Sequence, residues 1–305
     1  MGAISQTFPV LGEVSLGYHF VETGLILRES TLLSKMLLSS ESWHKLFQYQ
    51  IEKLEEVDHT FFRKLLNCHS KTGIEFLFSE TGTIPIKIKI RCRRLMYWWH
   101  ILNVEETEMI NKVYRAQKLS PVSGDWVLLI EEDKQMFNIK MADDEVKAVS
   151  KYKFTNFVKK KAKELTIEYL MRLKQKHSKS TDLDVQDLSI SPYLIDGRFS
   201  KESRELLFKL RSKTVDVKEN FKNAHFNNHM LCELCLLFPC TQSHPLQCPQ
   251  LNIKLVVDKK LMLSGKYFFA LVDKKLLYVN IYKQFWELRE TTLSRMKDDE
   301  SCATT

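Results

Sequence analysis

A chain of 305 residues with 44% hydrophobic and 28% charged side chains can bury a substantial core, which excludes a disordered tail. Nine glycines and seven prolines set among Leu/Lys/Glu-rich runs favour helices, and no apolar stretch reaches the length of a membrane span. The net charge of +8 and seven cysteines, four of them between positions 232 and 248, point to polyanionic partners and a reducing, intracellular compartment, nuclear or cytoplasmic.

Met1 to Leu11 lacks a basic segment followed by an apolar block, so no secretory signal is expected. Residues 18–39 read as an apolar helix through Leu25, Leu32, Leu33, Met36 and Leu37, with Gly24 as a weak point. Over 42–69, Phe47, Ile51, Leu54, Val57, Phe61 and Leu65 recur every three or four positions between charged residues, an amphipathic helix that Gly73 would stop. A short apolar helix follows at Ile74–Ser79.

Residues 84–103 fit two patterns. Ile84, Ile86, Ile88 and Ile90 alternate with Lys87, Lys89 and Arg91 as in a strand, but Pro85 is a good helix entry and Leu95–Leu102 continues as helix. We read a helix with its basic side chains towards a ligand. Tyr97, Trp98 and Trp99 suit base stacking, although core packing accounts better for at least two of them. Leu119–Asp125 makes a turn feeding a helix at Trp126–Phe137, and Asp143-Asp144-Glu145 opens the next, where the helix dipole favours acids. Lys147–His177 is a long basic helix ended by Ser178–Ser180. Asp196-Gly197 turns, Lys201–Lys213 is amphipathic, and Leu277, Ile281, Phe285 and Leu288 mark a final helix.

Charge is distributed in blocks. Residues 84–103 carry Lys87, Lys89, Arg91, Arg93 and Arg94 without an acid, and residues 147–179 hold eleven Lys/Arg against Glu164 and Glu168. Two acid-poor clusters predict phosphate contact, with Arg91, Arg93, Arg94, Lys159, Lys160, Lys161, Lys163, Arg172, Lys174 and Lys176 as the candidate residues and RNA or DNA as the partner.

Cys232-x2-Cys235-x8-His244-x3-Cys248 is the most specific pattern in the chain. Three thiolates and one imidazole match a tetrahedral structural zinc site, and one helical turn would carry both His244 and Cys248 to the ion. Cys240 lies inside the loop as a spare thiol, and His225 and His229 lie just upstream. Buried free cysteines in a reduced protein are the alternative.

A set of segments in fixed order resembles the region downstream of the polymerase core in non-LTR (LINE-type) retrotransposon polyproteins. They are Arg93–Leu102 (RRLMYWWHIL), Val113–Lys118 (VYRAQK), Ser123-Gly124-Asp125-Trp126, Ser150–Phe154 (SKYKF), Leu206–Lys213 (LLFKLRSK) and the Cys232–Pro249 motif with Thr241-Gln242. Together they extend over roughly residues 18–290. The resemblance implies thumb-like helices followed by a Cys-Cys-His-Cys zinc motif that grips nucleic acid, with a reverse transcriptase or another element-encoded protein as a candidate partner.

Reverse transcriptases need separated aspartates in a strand-rich palm to hold two magnesium ions. Here Met141-Ala142-Asp143-Asp144 is the nearest candidate, without an aromatic or a following apolar strand. Asp258-Lys259-Lys260 is all that remains of the carboxylate pattern a restriction-like nuclease would need. Gly-x-Ser-x-Gly, Walker and His-Glu-x-x-His motifs are absent, and Cys68 and His69 are adjacent, which rarely lets a nucleophile face its base. No catalytic residue is expected.

The expected architecture is mostly α: a helical thumb-like domain over 1–140, a basic helical region over 141–222, a zinc lobe over 223–252 and a C-terminal helical segment over 253–305. The expected function is non-catalytic nucleic-acid binding. A scaffold docking a full-length reverse transcriptase or a host protein through its amphipathic helices is the alternative.

Overall fold

A computed structural model describes residues 20–177, 187–215 and 279–292, the positions 183, 185 and 294, and, around the cysteines, 231–232, 234–235, 237–241, 244–246 and 248–251. The expected boundary at 222/223 and most of the 253–305 segment lie outside the described residues. The fold is mostly helical. Among the described residues the only β pairings are isolated antiparallel bridges, Thr81 with Ile190 and Leu231 with Pro239.

Helix α1 (Phe20–Leu27) runs on through a π-helical stretch, Arg28–Leu33, and one further turn, Ser34–Met36. Arg28 is fully buried there and grips both carboxylate oxygens of Asp58 at 2.6 and 2.7 Å. Its guanidinium also lies 4.7 Å from the centroid of Phe62, so this charge is paired and stacked rather than merely enclosed. The helix runs through Gly24 without a break. Gly24 is where Leu65 packs, since a Cβ there would come within 2.3 Å of the Leu65 Cδ1 atom.

Helix α2 (Gln48–Leu65) starts after Phe47, whose backbone is extended and whose N–H donates to the Gln50 Oε1 atom at 2.9 Å. Phe47 therefore caps the helix and stands exposed, contrary to its expected place on the apolar face. Leu66 ends the helix, and Asn67, with φ +45°, turns the chain well before Gly73. Gly73 instead precedes α3 (Ile74–Thr81). At the end of α3, Gly82 adopts φ +63° and a Cβ there would meet the Ser189 backbone at 2.5 Å, so both conformation and space require glycine.

Helix α4 (Ile86–Asn103) is central, and its burial resolves the two patterns in its sequence. Residues two apart on a helix point about 200° apart. Ile86 and Ile90 join Leu33 and Leu37 in one small core, while Ile88 faces another with Leu95 and Trp98. The strand-like alternation thus serves a helix packed on opposite sides. Trp98 is fully buried and its Nε1–H donates to the Tyr114 hydroxyl at 3.0 Å.

Around α4 lie α5 (Met109–Leu119), α6 (Trp126–Met136), α7 (Asp143–Ala148) and α8 (Lys151–Lys176). The Ser150 hydroxyl accepts from the Lys153 N–H, which sets the start of α8 four residues later than the sequence suggests. Phe154, Val158 and Ala162 of α8 pack with α4, whereas Leu170 packs with Phe20, Phe61 and Leu77. One helix therefore enters two cores, and both draw residues from either side of position 140, where the sequence suggests a domain boundary. Helices α9 (Pro192–Ile195) and α10 (Lys201–Arg211) complete the first core, and a last helix, α11, runs through 279–292.

Candidate metal centre

The short bridge between Leu231 and Pro239 folds the cysteine segment back on itself, and the Cys232 N–H donates to the Phe238 carbonyl at 2.8 Å. This tight turn sets Cys232 and Cys235 side by side. The His244 N–H then bonds the Thr241 carbonyl at 3.1 Å, starting a 3-10 turn at His244–Leu246 that brings the second pair round. All four side chains are buried, and their ligand atoms lie within 4.8 Å of one another. Edges of a zinc–thiolate tetrahedron measure about 3.8 Å, so the four atoms lie close to coordination distance already. The His244 Nε2 atom stands 3.5 Å from the Cys235 sulfur, which makes Nε2 the inward nitrogen.

The walls come from elsewhere in the chain. The His244 ring meets Phe285 of α11 edge-on at 6.2 Å and Phe238 at 6.1 Å. Leu210, Val215, Ile281 and Tyr282 close the cluster. The Cys-x2-Cys…His-x3-Cys spacing picks out the four side chains that cluster, but nothing in it marks Phe285 or Leu210 as their support. Cys240 is buried in the same cluster and is not one of the four.

Burial lowers the His244 pKa, favouring the neutral imidazole that a metal requires. Burial also raises Cys232, and pushes Cys248 up to about 12. At Cys235 burial acts in the same direction, but the N–H groups of Leu237 and Phe238 and the neighbouring thiols outweigh it and lower the value. A cation at the centre of the four would reverse the burial penalty and hold the sulfurs as thiolates. The residues fit a metal ion.

The expected phosphate-binding residues fall into two groups. Arg94 is buried and holds both oxygens of Asp133 at 2.7 and 3.1 Å, and Arg91 donates to the same carboxylate at 2.5 Å. Arg93 donates to the Leu37 carbonyl. Helix α4 thus commits Arg91 and Arg94 to Asp133 of α6, which needs guanidinium partners once buried, and Arg93 to the backbone just after the Ser34–Met36 turn. On α8, by contrast, Lys159, Lys160, Lys163, Arg172 and Lys176 are all exposed. Lys161 is half-buried against Glu164 at 2.7 Å, and Lys174 donates to the Leu183 carbonyl at 2.6 Å. Asp143 accepts from the Tyr114 hydroxyl at 2.9 Å and from Lys118 at 2.6 Å.

Comparison of the chain with known protein families, with curated proteins and with solved structures finds no match. Among the described residues no helix is long and apolar enough to cross a membrane.

Proposed function

We infer that the protein binds nucleic acid through α8, with zinc in the Cys232/Cys235/His244/Cys248 cluster as a structural ion, and that it is related to the post-polymerase region of LINE-type retrotransposon polyproteins. The observation that carries the binding reading is the exposed face of α8. Its lysines have a rigid base in Phe154, Val158 and Ala162, all buried, while Lys159, Lys160 and Lys163 reach solvent with Tyr152 76% exposed beside them. A fixed row of cations suits a phosphate backbone, and an exposed ring suits a base. Three thiolates with one imidazole favour zinc over harder ions, and four protein ligands leave no open position for catalysis.

Salt titration tests it. If six cations of α8 neutralise duplex phosphates, log K falls against log[salt] with a slope of about −5. Changing Lys159, Lys160, Lys161 and Lys163 together to Gln should flatten the slope and weaken binding to all sequences alike. A folded protein with no affinity for RNA or DNA at low salt would overturn the reading. One observation favours a second reading, a protein scaffold: Met109, Val113 and Leu119 expose apolar side chains on α5 that a partner helix would cover.

A further inference from the structure

Between α2, α4 and α6 lies a cavity of about 200 Å³ with Lys45, Glu55, Lys87, Arg91, Arg94 and Glu132 in its walls. Its charges do not cancel. Arg91 and Arg94 share the single carboxylate of Asp133, and Lys45 meets Glu132 at 2.9 Å. Lys87 lies over the Tyr169 ring at 3.6 Å and near Glu55, without a hydrogen-bonded carboxylate among the described residues. One carboxylate oxygen, Glu55 Oε1, is buried in this wall with no hydrogen-bond partner among the described residues. A buried acceptor left unmatched is costly, and a ligand donor would remove that cost.

The cavity therefore asks for two things on one small ligand: an anion for Lys87 and Arg91, and a hydroxyl or N–H for Glu55. A simple carboxylate supplies only the first, and a hydrogen phosphate ion supplies both but has no base to reach an exposed ring beside the cavity. A sugar phosphate supplies both, and a volume of about 200 Å³ is below the usual range for whole drug-sized ligands, which suits a fragment of a chain. The surroundings agree. Phe47 and Tyr49, flanking the cavity residue Gln48, expose two rings stacked at 6.0 Å, a platform for a base. Burial lowers the Lys87 pKa, and Arg172 of α8 lies close enough to add to that.

We propose that this cavity takes one ribose phosphate of an RNA strand, with Lys87 and Arg91 on the phosphate, Glu55 accepting from the ribose 2′-hydroxyl, and the neighbouring base on the Phe47/Tyr49 platform. The proposal rests on the nucleic-acid reading above and adds a preference for RNA over DNA, since only RNA offers that hydroxyl.

The test titrates the full chain with a single-stranded oligoribonucleotide, with its deoxy counterpart, and with free ribose 5-phosphate. The native protein should prefer the ribo strand by about tenfold, the worth of one hydrogen bond to a charged acceptor. Glu55→Met should erase that preference while leaving DNA affinity in place, and Lys87→Met should weaken both strands. Thermal melting of both variants checks that they fold. If ribo and deoxy strands bind alike, or if Glu55→Met keeps the preference, the proposal is overturned while the α8 reading stands. If neither strand binds but ribose 5-phosphate does, and Lys87→Met abolishes it, the cavity is a sugar-phosphate site and the α8 reading falls. If no probe binds, both fall.

Discussion

His59 shows what burial does to a titrating side chain in this fold. It is 8% exposed and lies edge-on to Phe78 at 5.6 Å. Burial takes its pKa from 6.5 to about 4; Asp58 opposes this, and Arg63, Lys87 and Arg28 reinforce it. The unfolded chain binds a proton near pH 6.5 that the folded chain refuses until about pH 4. The contribution to stability is therefore fully present above the unfolded value, is lost as pH falls between the two, and levels off below. Its size is about 3 kcal/mol. Urea unfolding across that range, compared with His59→Gln, measures it; the native protein should lose stability relative to the variant as pH falls, and parallel pH curves would count against it. Arg94 teaches the complementary lesson. From sequence it belongs to an acid-free basic run, yet its partner Asp133 is 39 positions away. No local pattern announces a pairing made by tertiary contact, so this use of Arg94 was not legible in the chain.

At the scale of elements, periodicity was most informative where one helix face alone is buried. The amphipathic run of α2 and the turn into α6 follow directly from residue spacing, as does the final helix through Ile281 and Phe285. Phe47 departs because capping geometry, not hydrophobicity, decides which residue stands at a helix start. Gly24 departs for a different reason, since helix propensity says nothing about the neighbour that needs the space. Its nearest obstacle, Leu65, is itself 1% exposed and has nowhere to swing. Gly24→Ala should gain about 1 kcal/mol of helix propensity but lose about 1–3 kcal/mol to overpacking. The net effect is a loss. In a Leu65→Ala background the obstacle is gone, and the same substitution should become stabilising. Denaturant midpoints for the four proteins decide it, and the same sign in both backgrounds would remove Leu65 as the cause.

Across the whole molecule, the cysteine cluster is tied into the helical body rather than appended to it. Its four ligands pack with Leu210 and Val215 at the end of α10 and with Ile281, Tyr282 and Phe285 of α11. Trp286 packs against the same cluster, 4.8 Å from the Phe285 ring. The first core draws on α9, α10 and Val279 of α11 as well as on α1 to α3 and α8, and Leu206 touches both it and the cysteine cluster, but the buried side chains of the two are distinct sets. Metal removal should therefore act locally. The purified chain should carry one zinc ion; Cys235→Ser and His244→Ala should lose it, and Cys240→Ser should keep it. Chelation should loosen the packing around Phe285 and shift Trp286 fluorescence to longer wavelength, a change missing from Trp286→Phe. Far-ultraviolet circular dichroism should change little, because the buried side chains of the two larger helical cores lie outside the cysteine cluster. The ligand assignment fails if Cys235→Ser retains the ion while Cys240→Ser loses it. The local picture fails if chelation melts the helices together, since that would place the metal in the energetics of the whole body.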